Sequence, residues 1–304
     1  MKSMGCGFGK IIFFGEHFVV HGSFAIACPL SQKTCVEIQK SDFLKIISDK
    51  DVPCDVLDLQ KQLIEKLLSL LRISDNKFSI SIISELISSA GMGYSASLCV
   101  ATARALSDYF KLNLCDEKIN ELAFEGEKIF HGNPSGVDNT VSTFGKSILF
   151  KKDDFVVIQN LKIKKSLNIV VVFSGETGNT KTAVEKVNKF KELNDKSWSD
   201  LFVEECEIVT QAKMVFELGD LEKIGLLMNC NHELLQKIGV STQKLDILVN
   251  IALQNRALGA KITGSGLGGC IIVLAKNSEQ QNNICLEFKK LGYCSFTTNI
   301  EKTL

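Results

Sequence analysis

The chain has 304 residues, of which 45% are hydrophobic and 23% are charged, and its 35 basic residues balance its 35 acidic ones. This balance gives no charge excess that would draw the protein to nucleic acid or to an anionic membrane surface. No apolar run approaches the roughly 20 residues of a membrane span, and the N-terminus does not resemble a signal peptide. We therefore expect a cytoplasmic protein, with no nucleic-acid or membrane partner, that is long enough for two domains.

The chain contains 11 cysteines, and they are scattered along its whole length. No two of them stand at the C-x-x-C spacing that is typical of zinc sites or thioredoxin-like redox sites. In a cytoplasmic protein, thiols are expected to stay reduced. Most of the cysteines are therefore predicted to be buried apolar side chains.

In the first half of the chain, apolar periodicity and glycine positions predict alternating strands and helices. The predicted elements are a strand, glycine turn and strand over 10–40, a helix over 61–71, a strand over 77–83, and helices over 95–110 and 117–130.

The pattern starts again near residue 166 with a buried strand over 168–173. Two or three helices are predicted within 180–258, with Gly259 as a helix stop, and a strand over 270–275 follows a glycine-rich turn. We place the domain boundary in the lysine-rich stretch before the restart. The predicted domains are 1–163 and 164–304.

A glycine-rich segment stands between a predicted strand and a predicted helix, and it comprises Gly91, Met92, Gly93, Tyr94, Ser95, Ala96 and Ser97. The free N–H groups and partial positive charge of a helix N-terminus attract phosphate. Glycines let the backbone come close to an anion, and serine hydroxyls are able to bind phosphate oxygens or Mg²⁺. The segment therefore predicts a phosphate site, against the simpler interpretation of a tight turn capped by serine.

Two other nucleotide-binding motifs fit the sequence less well. Residues 91–96 match the G-x-G-x-x-A form of the dinucleotide fingerprint, but the stretch that follows predicts helices instead of the required second parallel strand. Residues 145–147 imitate the end of a P-loop, but Thr140 stands where that motif needs its first glycine.

Five residues are candidates for the chemistry on a bound phosphate. Asp138 lies in a loop of Gly, Pro and His that is costly to order unless it serves a function. Glu127 precedes it on a predicted helix, and Lys10 enters an apolar strand, where a lysine needs an acidic partner. Glu16 and His17 share a glycine turn. Structural interpretations remain open, with Asp138 as a helix cap, Glu127 on a solvated helix face and His17 as a packing residue.

Four stretches, taken together, carry a specific resemblance; they are residues 9–22 (GKIIFFGEHFVVHG), 91–97 (GMGYSAS), 127–138 (EKIFHGNPSGVD) and 261–270 (KITGSGLGGC). In this order they resemble the motifs of the GHMP kinase family, and most closely those of its mevalonate kinase branch. The sequence departs from the family where Tyr94 replaces the first serine of a pair, of which Ser95 keeps the second. Ser265 and Leu267 replace residues that are often Ala and Gly.

The resemblance implies a two-domain α+β GHMP kinase fold with the active site in the cleft between the domains. It also implies transfer of the γ-phosphoryl group of ATP to the 5-hydroxyl of mevalonate, and often a homodimer. For the individual residues, the resemblance implies that amides around 91–97 hold ATP, that Ser95 and Glu127 hold Mg²⁺, and that Gly264, Ser265 and Gly266 let backbone approach the phosphates. It implies that Asp138 contacts the acceptor hydroxyl and that Lys10 lies beside Asp138 and the transferring phosphoryl group. Glu16 and His17 are expected at the substrate end.

Some alternatives stay open. The loop 174–181 is expected to bring Thr177 to the substrate carboxylate, but a plain strand-to-helix turn with Asn and Thr as caps fits the same residues. Another kinase of the family, for phosphomevalonate or a sugar, is the nearest rival in function. A non-catalytic ligand sensor with the same fold is the rival from a different class, and Tyr94 is the feature that favours it.

Overall fold

The computed structural model describes residues 2–48, 54–88, 90–132, 134–152 and 156–303, excluding the side chains of Cys54 and Asp55. The chain forms two compact units, and each unit is assembled from separate stretches of sequence. Unit 1 comprises Met1–Lys10, Gln32–Ser88 and Gly93–Gly145, and unit 2 comprises Ile11–Ser31, Ser89–Met92 and Lys146–Leu304. The strands β1 (Lys2–Phe14) and β2 (Phe24–Lys40) contribute to both units. The predicted domain boundary near residue 163 stays a prediction.

In its described residues, unit 1 combines strands with four helices. Besides parts of β1 and β2 it contains β3 (Lys45–Ser48), α1 (Cys54–Leu70), β4 (Phe78–Ser84), α2 (Tyr94–Tyr109), α3 (Asp116–His131) and α4 (Val137–Phe144). β4 pairs with the second half of β2 in antiparallel fashion, from Thr34 opposite Ser84 to Lys40 opposite Phe78. β3 pairs with the other edge of β4 in parallel fashion.

The core of unit 1 consists of the apolar faces of β2 and β4 together with α1, α2 and α3. The helices approach closely because Gly126 of α3 presents no side chain; a Cβ there would lie 2.6 Å from Leu63 Cδ1 and 2.8 Å from Cys99 Sγ. Close packing of this kind loses stability when even one methylene is added or removed. The core therefore holds α2 in place, and the N-terminus of α2 forms part of the candidate active site.

Unit 2 contains a four-stranded antiparallel sheet in the order β10-β7-β9-β8. Its further elements are a short 3-10 helix (Phe18–His21), β5 (Ile148–Lys152), β6 (Val156–Asn160), β7 (Leu167–Phe173), α5 (Thr180–Leu193), α6 (Asp195–Leu218), α7 (Leu221–Lys237), α8 (Gln243–Gln254), β8 (Gly259–Thr263), β9 (Cys270–Ala275), α9 (Ser278–Lys290) and β10 (Ser295–Ile300). The first half of β2 pairs with β5. All residues of β8 and β9 are buried, as expected for strands that are covered on both faces.

The mixed α+β fold is confirmed, and most predicted elements are present within a few residues of their expected bounds. Two expectations in the second half were wrong. The stretch 180–258 holds four helices rather than two or three, because a single residue, Asn194, separates α5 from α6. Gly259 does not stop a helix: α8 ends at Gln254, and Gly259 is the first residue of β8.

The prediction for the cysteines holds only in part. Cys28, Cys99, Cys270 and Cys285 are free and buried, whereas Cys115, Cys230 and Cys294 are free and exposed. Cys6 and Cys35 form a disulfide between β1 and β2, where a reduced pair was expected. The two strands pair with each other, so cysteines that are 29 residues apart in sequence come together. Among the helices of the described ranges, none is long and apolar enough to cross a membrane.

Candidate active site

Lys10 lies near the middle of β1, and its ammonium group meets a carboxylate. Its side chain is 5% exposed, and Nζ lies 3.2 Å from Oδ2 of Asp138, whose side chain is 28% exposed. The acidic partner that a buried lysine needs is therefore Asp138, which lies 128 positions later in the sequence. The pair joins a shielded cation to a carboxylate that solvent still reaches.

Asp138 is held in the first turn of α4 rather than at its cap. The capping position belongs to Gly136, whose φ of 91° is left-handed, and no side chain makes a capping hydrogen bond there. The hydroxyl of Ser135 accepts a hydrogen bond from the Val137 N–H at 3.3 Å, which shapes the entry to the helix. The alternative in which Asp138 caps the helix is therefore wrong.

Gly93 places the N-terminus of α2 against Lys10. Its φ is 70°, and a Cβ there would lie 2.8 Å from Lys10 Cγ, so only glycine fits without moving the lysine. The first intrahelical bond of α2 runs from the Ser97 N–H to the Gly93 carbonyl at 2.9 Å. The amides of Ser95 and Ala96 precede this bond in the first turn and therefore have no intrahelical acceptor.

Ser97 has a structural place in unit 1. Its hydroxyl donates to the Gly7 carbonyl at 2.7 Å and accepts from the Thr34 N–H at 3.1 Å, and the residue is fully buried. Because its amide is also bonded within the helix, Ser97 ties α2 to β1 and β2. The backbone donors that α2 offers to an anion are therefore those of the first turn before it, which include Ser95 and Ala96.

Ser95 and Glu127 provide oxygen atoms close to the Lys10–Asp138 pair. Ser95 Oγ lies 3.0 Å from Nε2 of His131, a residue that sequence reasoning had passed over although it opens the HGNPSG segment. Burial, followed by the negative charge of Asp138, raises the pKa of Glu127 to about 8, while the Ser95 hydroxyl and the Lys10 ammonium act in the opposite direction. We define Lys10, Asp138, Ser95, Glu127 and His131 as the Lys10 cluster.

The oxygen donors of this cluster fit a magnesium ion. Oε1 of Glu127 is buried, and no hydrogen-bond partner for it lies within the described part of the chain. A carboxylate and a serine hydroxyl suit Mg²⁺, which takes few protein ligands and completes its shell with phosphate and water. The same residue ranges contain no group of three or more His, Cys, Asp or Glu side chains that would bind a metal ion on its own.

Tyr94, the departure from the family pattern, turns its side chain toward the core of unit 1. It packs against the apolar cluster formed by α1, α2 and the strands. Its hydroxyl accepts a hydrogen bond from Nε2 of Gln60 on α1 at 3.2 Å. Tyr94 therefore connects two helices.

In unit 2, Gly91 of the first glycine-rich segment and the stretch 261–270 meet backbone to backbone. A Cβ on Gly91 would lie 3.2 Å from the Thr263 carbonyl, and one on Gly264 would lie 3.1 Å from Gly91 Cα. Gly269 approaches the Ala90 carbonyl in the same way. We call residues 264–269 the Gly264 loop. Two predicted motifs that are far apart in sequence are therefore neighbours.

The predicted substrate loop, 174–181, packs on the Gly264 loop. The Ser174 N–H donates to the Gly269 carbonyl at 2.9 Å, and the Gly269 N–H donates to the Glu176 carbonyl at 2.7 Å. The side chain of Thr177 is exposed, while Thr180, which sequence reasoning did not single out, donates from Oγ1 to Ser265 Oγ at 3.3 Å. Asn179 caps α5 by accepting from the Thr182 N–H, so part of the loop is the capped turn that was the alternative.

The Gly15–His17 turn is fixed by buried polar contacts within unit 2. Glu16 is 1% exposed, and Oε1 of Glu16 accepts a hydrogen bond from Nζ of Lys261. Nε2 of His17 lies 2.9 Å from the Ser265 carbonyl and therefore carries the proton of that bond. Burial lowers the pKa of His17, which favours this neutral form. The turn thus brings His17, but not the Glu16 carboxylate, to the Gly264 loop.

The chain is similar to known proteins over nearly its whole length. Residues 58–146 match the model of the GHMP kinases N terminal domain, and residues 212–294 match that of the GHMP kinases C terminal domain. A mevalonate kinase from Thermococcus gammatolerans is 34% identical over 99% of this chain and 97% of its own length.

Two solved structures show the same similarity. The crystal structure of L. major mevalonate kinase in complex with R-mevalonate has 34% identity and a TM-score of 0.90, over 100% of this chain and 96% of that one. The Methanococcus jannaschii mevalonate kinase has 26% identity and a TM-score of 0.85, over 99% of both chains. With both family models matched and near-complete coverage at this identity, the chain belongs to the GHMP kinase family.

Proposed function

We propose that the chain is a mevalonate kinase, which transfers the γ-phosphoryl group of ATP to the 5-hydroxyl of (R)-mevalonate. The observation that carries this proposal is the Lys10–Asp138 pair, 3.2 Å apart, next to the glycine that opens α2. Relatives that are similar over nearly the whole chain are mevalonate kinases, and one of them was crystallised with R-mevalonate. The proposal places the protein in isoprenoid precursor biosynthesis in the cytoplasm, and a homodimer remains a prediction.

Asp138 would orient the acceptor hydroxyl and take up its proton. An ordinary carboxylic acid and an alcohol differ by roughly 12 pKa units, so full deprotonation before transfer would cost about 16 kcal/mol. Phosphoryl transfer passes through a loose transition state that does not need an alkoxide. The bond from the acceptor oxygen to phosphorus therefore forms as the bond to the β-phosphate oxygen breaks, and the proton passes to Asp138 late.

Lys10 would stabilise the charge that develops during transfer. Its ammonium is shielded from solvent, and a shielded donor of fixed position stabilises a transition state more than one in water does. The first-turn amides of α2, among them those of Ser95 and Ala96, would hold ATP phosphate oxygens at the helix N-terminus. Both groups are fixed before substrate arrives, since β1 and α2 are joined through Ser97.

Ser95 and Glu127 would hold Mg²⁺. When bound, the ion neutralises phosphate charge and so assists departure of ADP. The hydrogen bond between Ser95 Oγ and His131 Nε2 would help to hold the serine hydroxyl at this site.

The acceptor would be bound by the residues around the Gly264 loop. His17 is the predicted contact from the glycine turn, and Thr177 and Thr180 are the candidates from the loop that packs on Ser265. Gly264 and Gly266 leave the backbone free of side chains there. Because Glu16 is buried, it would influence acceptor binding indirectly, by holding the Gly15–His17 turn in place.

The proposal is tested by following ADP release with Mg²⁺ and ATP in the presence of (R)-mevalonate, phosphomevalonate, galactose or homoserine in separate reactions. Asp138→Asn tests the central residue, and Asp108→Asn, an exposed position on α2, is the matched control. Turnover on mevalonate alone, abolished only by Asp138→Asn, supports the proposal. Turnover on another alcohol moves the substrate assignment within the family. ATP binding with no turnover on any of them favours the non-catalytic sensor.

A further inference from the structure

A second group of buried ionisable residues lies in unit 2, outside the Lys10 cluster. Glu16, Glu205 and Lys261 are each at most 1% exposed, and Asn231 beside them is fully buried. We call these four residues the Glu205 network. Glu205 and Asn231 come from α6 and α7, helices to which neither motif nor resemblance had assigned a role.

Glu205 holds the backbone of the glycine turn directly. Its Oε1 accepts a hydrogen bond from the Gly15 N–H at 2.9 Å, and its Oε2 accepts from Nδ2 of Asn231 at 2.6 Å. Gly15 has a φ of 93°, and a Cβ there would lie 2.4 Å from the Phe24 carbonyl. The turn therefore has a shape that the local backbone alone does not favour, and a side chain 190 positions away satisfies its buried amide.

The residue that ends the turn is also in an unfavourable backbone conformation. His17 has a φ of 63°, which is left-handed and costly for a residue with a Cβ. The His17 ring is held by the Ser265 carbonyl. The side chain of Glu16, the residue between Gly15 and His17, is held by Lys261. Three successive residues are thus fixed by three side-chain contacts, all within unit 2.

Stability alone does not account for this arrangement. A buried ion pair often contributes no more than apolar residues of the same volume, because removing two charges from water costs about as much as their attraction returns. Three buried ionisable groups around one turn therefore add little to the free energy of folding. What these groups determine is the position of the turn.

We propose that Glu205 is a positioning residue for the acceptor substrate, which holds the Gly15–His17 turn so that the His17 imidazole meets the acceptor. The inference rests on the proposed function for the identity of the acceptor. Its structural part, that Glu205 fixes the turn, depends only on unit 2.

Hydrogen exchange and kinetics on the full-length protein test the two parts separately. In Glu205→Ala, the Gly15 amide loses its acceptor, so exchange in the 12–18 segment becomes about tenfold faster. The KM for mevalonate rises about tenfold while the KM for ATP stays within about twofold, because the Lys10 cluster is not altered. Glu207→Ala, an exposed position two residues later on α6, leaves both readouts unchanged.

Rescue by a conservative variant separates positioning from loss of packing. In Glu205→Gln, the side-chain carbonyl still accepts from Gly15, and its NH₂ finds the carbonyl of a flipped Asn231 amide. Exchange and mevalonate KM in this variant stay within about threefold of the unsubstituted protein. Should Glu205→Ala not fold, Asn231→Ala removes one anchor of Glu205 and shifts both readouts in the same direction by about threefold.

The results that overturn the proposal are distinct from those that overturn the function. A folded Glu205→Ala or Asn231→Ala protein with unchanged exchange and unchanged mevalonate KM refutes positioning, as does an equal rise in both KM values. If the unsubstituted protein phosphorylates no alcohol, the proposed function fails, and the exchange result alone decides whether Glu205 holds the turn.

Discussion

Two lysine–carboxylate pairs in this protein differ in one property, the access of solvent to the acid. Lys10 pairs with Asp138, whose side chain is 28% exposed, whereas Lys261 pairs with Glu16, whose side chain is 1% exposed. Both lysines enter or occupy apolar strands in the sequence. A carboxylate that the substrate can reach is able to exchange a proton with the substrate. A carboxylate that is enclosed by protein instead fixes the conformation of the surrounding backbone.

The two pairs also differ in the elements that support them. The Lys10–Asp138 pair is positioned by Gly93 at the start of α2 and Gly136 at the start of α4. The carboxylate of this pair remains accessible to solvent. The Lys261 pair is enclosed by helices α6 and α7, and it acquires a third ionisable group in Glu205. We therefore expect substitutions in the first pair to change rates and substitutions in the second to change stability and substrate fit.

The largest effect is expected at the open carboxylate. Asp138→Asn keeps the shape of the side chain but removes the proton acceptor, so kcat falls by about 10²–10⁴-fold. Because Asp138 is proposed to contact the acceptor rather than ATP, the ATP dissociation constant stays within about twofold, measured by calorimetry. An Asn variant with normal turnover contradicts the assignment.

The two lysines separate rate from stability. Lys261→Met leaves Glu16 buried without its cation, and we expect the free energy of unfolding to fall by about 3–5 kcal/mol. Lys10→Met leaves Asp138 with access to water, so its unfolding free energy changes by only about 1 kcal/mol while kcat drops steeply.

Urea denaturation and steady-state kinetics on both methionine variants measure this contrast. Equal loss of stability in the two proteins removes the distinction between the pairs. A Lys10→Met protein that changes only the KM for ATP makes Lys10 a binding residue rather than a catalytic one.

The sequence predicted the first pair much better than the second. The awkward position of Lys10 in an apolar strand indicated that it needs an acidic partner, and the family resemblance implied that Asp138 lies beside it and that Ser95 and Glu127 hold Mg²⁺. Glu205 and Asn231 looked like ordinary helix residues, since periodicity compares positions a few residues apart and Glu205 meets Gly15 over a separation of 190. Asn133, inside the HGNPSG segment, lies outside the described residues.

The same limit explains two other differences. The break between α5 and α6 carries neither glycine nor proline, so no local signal marked it. The Cys6–Cys35 disulfide joins neighbouring strands, and a search for C-x-x-C spacing does not detect cross-strand pairs. Contacts that depend on tertiary packing were the ones that sequence patterns could not reveal.

A smaller effect is expected from the pH dependence of the enclosed network. Burial, together with the charge of Glu16, raises the pKa of Glu205 to about 8, and Glu16 and Lys261 are the charged groups that face it. The folded state therefore holds a proton that the unfolded state releases near pH 4.5. Stability therefore falls as pH rises from about 4.5 to about 8 and then levels off.

Glu205→Gln removes this titration, so the stability difference between the variant and the unsubstituted protein grows in favour of the variant from pH 5 to pH 8. Urea denaturation at four pH values measures the difference, and Glu207→Gln is the matched control with a parallel curve. A difference that is constant with pH means that Glu205 is ionised throughout this range, with Lys261 and the Gly15 amide compensating its charge.

The smallest effect concerns Tyr94, which follows Gly93 at the start of α2 but packs its side chain against the core of unit 1. Its hydroxyl accepts from Gln60, so Tyr94→Phe leaves a buried amide donor unpaired and lowers the unfolding free energy by about 0.5–1.5 kcal/mol. The KM for ATP and kcat stay within about twofold, because the α2 amides and Lys10 keep their places. A tenfold rise in the KM for ATP at unchanged stability would instead place the tyrosine hydroxyl at the nucleotide. Tyr94, the departure from the family pattern, would then act together with the Lys10–Asp138 pair in the reaction, rather than only in the packing of α2 against α1.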